Sequence, residues 1–159
     1  DSVPLPWGFG THAYFRLPLS TKSQVTDCLF QAPVDSQWNL EECLPTGQTD
    51  PLSGSLNDLP EGIRMGEVAL DAAFRLMDGA GRCEIMDEAV GYQIAQSFSS
   101  EFTQMIIFTP PGRDAVCLEP YTCMTDAVNL TEVDTGWQVL PPGKTQSLNV
   151  TIALEPIVA

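Results

Sequence analysis

A chain of 159 residues is long enough for one domain with a real core, or for a piece of a larger one. Its 21 acidic residues against 7 basic ones give a net charge of −14, which argues against nucleic acid or anionic membrane as partners, since both require a basic footprint. No apolar run is long enough to span a bilayer, and no signal-peptide pattern is present. The five cysteines, Cys28, Cys43, Cys83, Cys117 and Cys123, are odd in number and loosely spaced. They do not form a secreted disulfide framework, and no Cys-x-x-Cys pair or local His/Cys cluster suggests a metal site. Reduced structural thiols in a cytoplasmic setting are the expectation.

Proline and glycine interrupt the chain at short intervals, which predicts an all-β protein. The first clear strand signal is Thr11 to Pro18. There His12, Tyr14 and Arg16 take one face and Ala13, Phe15 and Leu17 the other. Pro45 to Gly62 reads as a long connection, and Val68 to Met77 as a short helix or a strand. Gln104 to Thr109 is a continuous apolar run closed by Pro110-Pro111-Gly112, which fits a strand covered on both faces. Val116 and Leu118 alternate with Cys117 and Glu119 before Pro120. Pro141 to Lys144 is a turn. Ser147 to Glu155 is a strand with Leu148, Val150, Ile152 and Leu154 on one face.

Two side chains stand out chemically. His12 is the chain's single histidine, and Glu119 lies between an apolar strand and a proline turn. Each is able to move a proton near neutrality, and held on opposite sides of a small molecule they would form an acid–base pair. The competing readings are a histidine satisfied by a backbone carbonyl and a solvated strand-end carboxylate. Trp7, Tyr14 and Phe15 can offer flat faces to a sugar, or can simply be core. Signatures for a catalytic cysteine, a Gly-x-Ser-x-Gly elbow or a phosphate loop are missing from the sequence.

Five motifs in order resemble those of the aldose 1-epimerase (galactose mutarotase) family. They are Thr11-His12-Ala13-Tyr14-Phe15, Leu44-Pro45-Thr46-Gly47, Leu70-Asp71 with Phe74, Leu118-Glu119-Pro120 through Asp126-Ala127-Val128-Asn129, and Leu140-Pro141-Pro142-Gly143. The resemblance covers nearly the whole chain and corresponds to the C-terminal half of that family's fold. It implies a single domain over 1–159 that is part of a large, twisted antiparallel β-sandwich. Glu119 is then the general base and His12 the general acid of ring opening, and Asp71 binds sugar hydroxyls. A family glutamine falls near Ile106, and Gln104, two positions earlier on the same strand face, is the nearest residue able to fill its role.

The implied reaction interconverts the anomers of a free aldohexose and needs no cofactor or metal. The implied partner is a monosaccharide. The family's other half normally supplies a second histidine and an arginine, neither of which has a counterpart here. A sandwich cut in two exposes edge and apolar face, so either a missing N-terminal half or a homo-oligomer is expected to cover them. The rival function is a carbohydrate-binding β-sandwich module without activity.

Overall fold

The computed structural model describes residues 2–158. Short runs of apolar, β-branched and aromatic residues between Pro/Gly turns form thirteen strands among them. In chain order these are β1 (Leu5–Trp7), β2 (Tyr14–Arg16), β3 (Cys28–Gln31), β4 (Val34–Glu41), β5 (Leu44–Pro51), β6 (Ile63–Arg64) and β7 (Asp71–Leu76). There follow β8 (Arg82–Asp87), β9 (Tyr92–Phe98), β10 (Gln104–Phe108), β11 (Ala115–Tyr121), β12 (Gln138–Leu140) and β13 (Val150–Pro156). The only helical pieces described are 3₁₀ turns at Val25–Asp27, Gly54–Asp58 and Ala127–Asn129.

The strands make two antiparallel sheets packed face to face, as the all-β reading requires. One has six strands in the order β2-β11-β10-β7-β4-β5, the other five in the order β13-β9-β8-β3-β6, and β1 and β12 form a separate ribbon. Between the sheets, Phe15, Phe74, Met105, Ile107, Val116 and Leu118 meet Cys28, Phe30, Cys83 and Ile85 in one buried cluster. The six-stranded sheet carries a second, smaller cluster of Trp38, Ala73 and Met124. Ala73 lies between Ala72 and Phe74 of the inner face, so this cluster belongs to the outer face. That outer face is where the candidate chemistry lies.

Two expectations need correction, and one open alternative is decided. Residues 44–51 are not loop but strand β5, paired with β4. Pro45 and Pro51 are tolerated there because β5 is an edge and its outward groups need no ladder partner. Residues 71–76 form strand β7 and no helix, because Ala72, Phe74 and Leu76 alternate into the core with a period of two. In β13, Val150 packs against the core as expected, but Ile152 and Leu154 are 52% and 66% exposed. They lie on the edge strand of the five-stranded sheet and line an open groove beside Phe15, Arg16 and Pro18.

Candidate active site

Strand alternation puts Cys117, Glu119 and Tyr121 on one face of β11, with Val116, Leu118 and Pro120 on the other. Pairing extends this set sideways. Tyr14, Cys117, Phe108 and Asp71 form one cross-strand row, and Glu119, Ile106 and Ala73 the next. These rows floor a cleft of about 460 Å³ on the outer face of the six-stranded sheet. Its lining includes His12, Tyr14, Asp71, Phe108, Glu119 and Tyr121.

His12 precedes strand β2, yet its position is fixed by the same ladder. The Gly10–Tyr121 bridge and the Tyr14–Cys117 pair share one register, which sets His12 directly across from Glu119. Hydrogen bonds clamp the segment: Thr11 N–H donates to Pro120 O at 3.2 Å, Thr122 N–H to Phe9 O at 2.8 Å, and Phe9 N–H to Thr122 Oγ1 at 2.9 Å. Gly10 matters here because a Cβ at that position would collide with the Tyr121 ring.

The imidazole and the carboxylate therefore touch, with His12 Nδ1 3.2 Å from Glu119 Oε1. This overturns the expectation that they stand apart across a sugar. Opposed residues on neighbouring strands are held about 5 Å apart at Cβ and leave no room for a ring between them. The sugar-sized span runs instead from this pair to Asp71, two strands away across β10 and so roughly 10 Å at the backbone.

The two groups differ in freedom. Glu119 is 2% exposed and its Oε2 accepts a hydrogen bond from the Tyr121 hydroxyl at 3.2 Å. Burial, followed by the Glu119 charge, pushes the Tyr121 phenol up to about 12, so it stays a donor across the physiological range. His12 is exposed and stacks on Tyr14, with ring centroids 5.2 Å apart and planes 18° from parallel. Cys117 Sγ lies 3.1 Å from His12 Nδ1 and donates to Ala13 O at 3.0 Å. Burial, then the neighbouring Glu119, hold its thiol well above the ordinary range, so it is a poor nucleophile.

The fold agrees with the comparison to known families, where the aldose 1-epimerase model matches residues 1–153. The chain belongs to the aldose 1-epimerase family. Among solved structures it is similar to a galactose mutarotase-like protein from Clostridium acetobutylicum, with TM-score 0.87, 22% identity, and coverage of 99% of this chain and 50% of that one. It is also similar to an aldose epimerase homologue from C. elegans, with TM-score 0.75, 16% identity, and coverage of 98% and 53%. A galactose mutarotase-like protein from Lactobacillus casei gives TM-score 0.69, 14% identity, and coverage of 98% and 55%. This aldose 1-epimerase family chain thus spans about half the length of the structures it matches.

Of the residues singled out in the sequence, Glu119, His12, Asp71 and Tyr14 converge on the cleft of this aldose 1-epimerase family chain. Gln104 does not. It sits on the expected strand face but one row further along, opposite Tyr121, where it is buried and its Oε1 accepts the Trp38 indole N–H at 2.7 Å. Ile106 occupies the cleft instead. Phe15 belongs to the core, Trp7 pairs with Gln138 in the β1–β12 ribbon, and neither lines the cleft.

Sequence reasoning missed Tyr121 and Cys117, although the period of two that exposes Glu119 carries both. It also missed Leu40, Cys43, Met124 and Thr125, which wall the cleft from a hairpin and a loop. No local pattern marks them. Among the described residues, no helix is long and apolar enough to cross a membrane.

Proposed function

We propose that this chain carries the proton-transferring half of a mutarotase site and acts on a neutral aldohexose, with Glu119 as general base and His12 as general acid. The observation that supports this most is their direct contact at the cleft floor. The anomeric hydroxyl oxygen and the ring oxygen are bonded to one carbon and lie roughly 2.3 Å apart, so an acid and a base serving both must be neighbours within hydrogen-bond reach. A pair 3.2 Å apart meets that requirement once a sugar replaces their mutual hydrogen bond. The exposed His12 ring swings to make room while buried Glu119 stays fixed.

Glu119 Oε1 takes the proton from the anomeric hydroxyl as the C1–O1 bond becomes a carbonyl. The C1–O5 bond breaks, and the ring oxygen takes the proton of His12. Rotation about C1–C2 presents the other carbonyl face. Closure reverses both transfers and yields the second anomer. Asp71 accepts hydrogen bonds from hydroxyls at the far end, and Tyr14 offers its ring to the sugar's C–H face. Among the described residues no lysine or arginine lines the cleft, which favours a neutral sugar over a phosphorylated one.

Polarimetry on freshly dissolved α-anomer is the test. Glu119→Gln and His12→Asn should each slow anomer interconversion by on the order of a hundredfold or more. Near-normal rates in both variants defeat the proposal. Saturable sugar binding by calorimetry with no acceleration would instead assign a non-catalytic carbohydrate-binding module.

A further inference from the structure

At the cleft floor, His12 and Glu119 meet the buried Cys117, and the three bring together metal-ligating atoms that the proton chemistry does not require together. His12 Nδ1, Cys117 Sγ and a Glu119 carboxylate oxygen all lie within 4.8 Å of one another. His12 lies 105 residues from Cys117, which is why the spacing of cysteines and histidine did not suggest a site. We propose that this triad binds a zinc-like divalent cation, and that occupancy shuts down the acid–base pair.

The geometry supports it. With zinc–ligand bonds of about 2.0 to 2.3 Å at a tetrahedral angle, an imidazole nitrogen lies about 3.5 Å from a thiolate sulfur and about 3.3 Å from a carboxylate oxygen. The separations here are 3.1 Å and 3.2 Å. Adjustments of a few tenths of an ångström complete those two edges, and the exposed imidazole can supply them. The donor set also selects the ion. One sulfur, one nitrogen and one oxygen suit a borderline cation such as Zn²⁺, whereas Mg²⁺ and Ca²⁺ require oxygen ligands.

The surroundings have the features of a three-ligand site with an open fourth position. Tyr121 holds Glu119 Oε2 and so leaves Oε1 directed at His12, an outer contact of the kind that orients metal carboxylates. Cys117 and Glu119 are both buried in a central strand and do not have to be ordered on binding. Two of the three ligands, His12 and Glu119, line the cleft, so a fourth position on their side is open to water or a sugar hydroxyl. On binding, the thiol proton now donated to Ala13 O is released to solvent as the sulfur–metal bond forms. Both atoms that would transfer sugar protons are then coordinated. The inhibitory half of this proposal rests on the mutarotase reading; the binding half does not.

The experiment uses the full chain without a histidine tag. Titration with Co²⁺ should give tetrahedral d–d bands in the visible and a thiolate-to-cobalt charge-transfer band in the near ultraviolet, both saturating at one equivalent. Cys117→Ser should abolish the charge-transfer band and weaken Zn²⁺ binding by calorimetry at least tenfold to a hundredfold, roughly the scale that even supporting contacts contribute. Cys43→Ser should leave both unchanged. If Cys117→Ser fails to fold, His12→Ala carries the test, since His12 lies exposed outside any strand, and it must lose the tetrahedral spectrum.

Zn²⁺ should also block anomer interconversion reversibly, with activity restored by EDTA. A featureless Co²⁺ titration overturns the site, as does a charge-transfer band that survives Cys117→Ser or disappears in Cys43→Ser. Binding in a chain with no sugar activity would sink the mutarotase reading and its inhibition while leaving the cation site standing.

Discussion

Replacing Gly10 by alanine tests how the site is positioned without touching either residue of the proposed acid–base pair. The new Cβ would lie 2.5 Å from Tyr121 Cε1 and 2.9 Å from its Cγ. Carbon atoms in contact prefer about 3.5 to 4.0 Å, so the ring must retreat by roughly 1 Å. The Tyr121 hydroxyl is 3.2 Å from Glu119 Oε2, near the outer limit of a hydrogen bond, and that retreat breaks it. A hydrogen bond to a charged group is worth about 1.5–3 kcal/mol, so full loss in the transition state slows turnover by about tenfold to a hundredfold.

Tyr121→Phe removes the same bond without the added bulk and should lower kcat/KM by a similar factor. The two differ in stability, because only Gly10→Ala also carries an overpacking cost of about 1–3 kcal/mol. Rates come from polarimetry and stabilities from thermal melts. In the Tyr121→Phe background, Gly10→Ala should lower the rate little further, because the bond it acts through is already gone. A wild-type rate in Gly10→Ala, or a Tyr121→Phe rate within about twofold of it, refutes the view that the phenol aims Glu119.

Asp87 is buried, and its Oδ2 accepts the Leu19 N–H at 3.0 Å and the Ser23 hydroxyl at 2.5 Å, so Asp87→Ala should cost about 3 kcal/mol in denaturant unfolding and Asp87→Asn clearly less. Burial pushes the thiols of Cys28 and Cys83 up to about 11 and about 12 from the ordinary 9.0. Their protons are retained in the fold where the unfolded chain loses them, so this stability is complete below pH 9 and is lost as pH rises through 11–12. Melts across that range should show the decline, and Cys83→Ala should reduce its slope. Cys43 is exposed at the cleft rim, so iodoacetamide on the native protein should modify it first and slow sugar turnover, an effect that Cys43→Ser removes.

The period of two was enough to find the sheet-forming segments, to place Glu119 at the end of an apolar strand, and to put His12 and Tyr14 on one face. Their mutual contact was not legible, because it depends on the register between residues 10–16 and 115–121, which no local pattern specifies. The β4–β5 hairpin escaped for a different reason. Its tip turns at Glu42 and Cys43, both with positive φ, where a sequence signal would need glycine or asparagine. Gln104 was misassigned because its cover, Trp38, lies 66 residues away. Exposure along β13 was hidden as well. Ile152 and Leu154 alternate like core residues, and only the layout of the sheets shows how little covers them.

The β4–β5 hairpin tip has an evolutionary consequence. Glu119 is anchored in the paired strand β11, whereas Cys43, Met124 and Thr125 approach the cleft from a hairpin tip and a loop. Under the proposed function, substitution or lengthening at those outer segments would retune which hydroxyl pattern is admitted while Glu119 and its strand stay intact. On that reading selectivity and chemistry rest on separable parts of the fold, and a lineage would be able to change its preferred sugar while keeping the reaction.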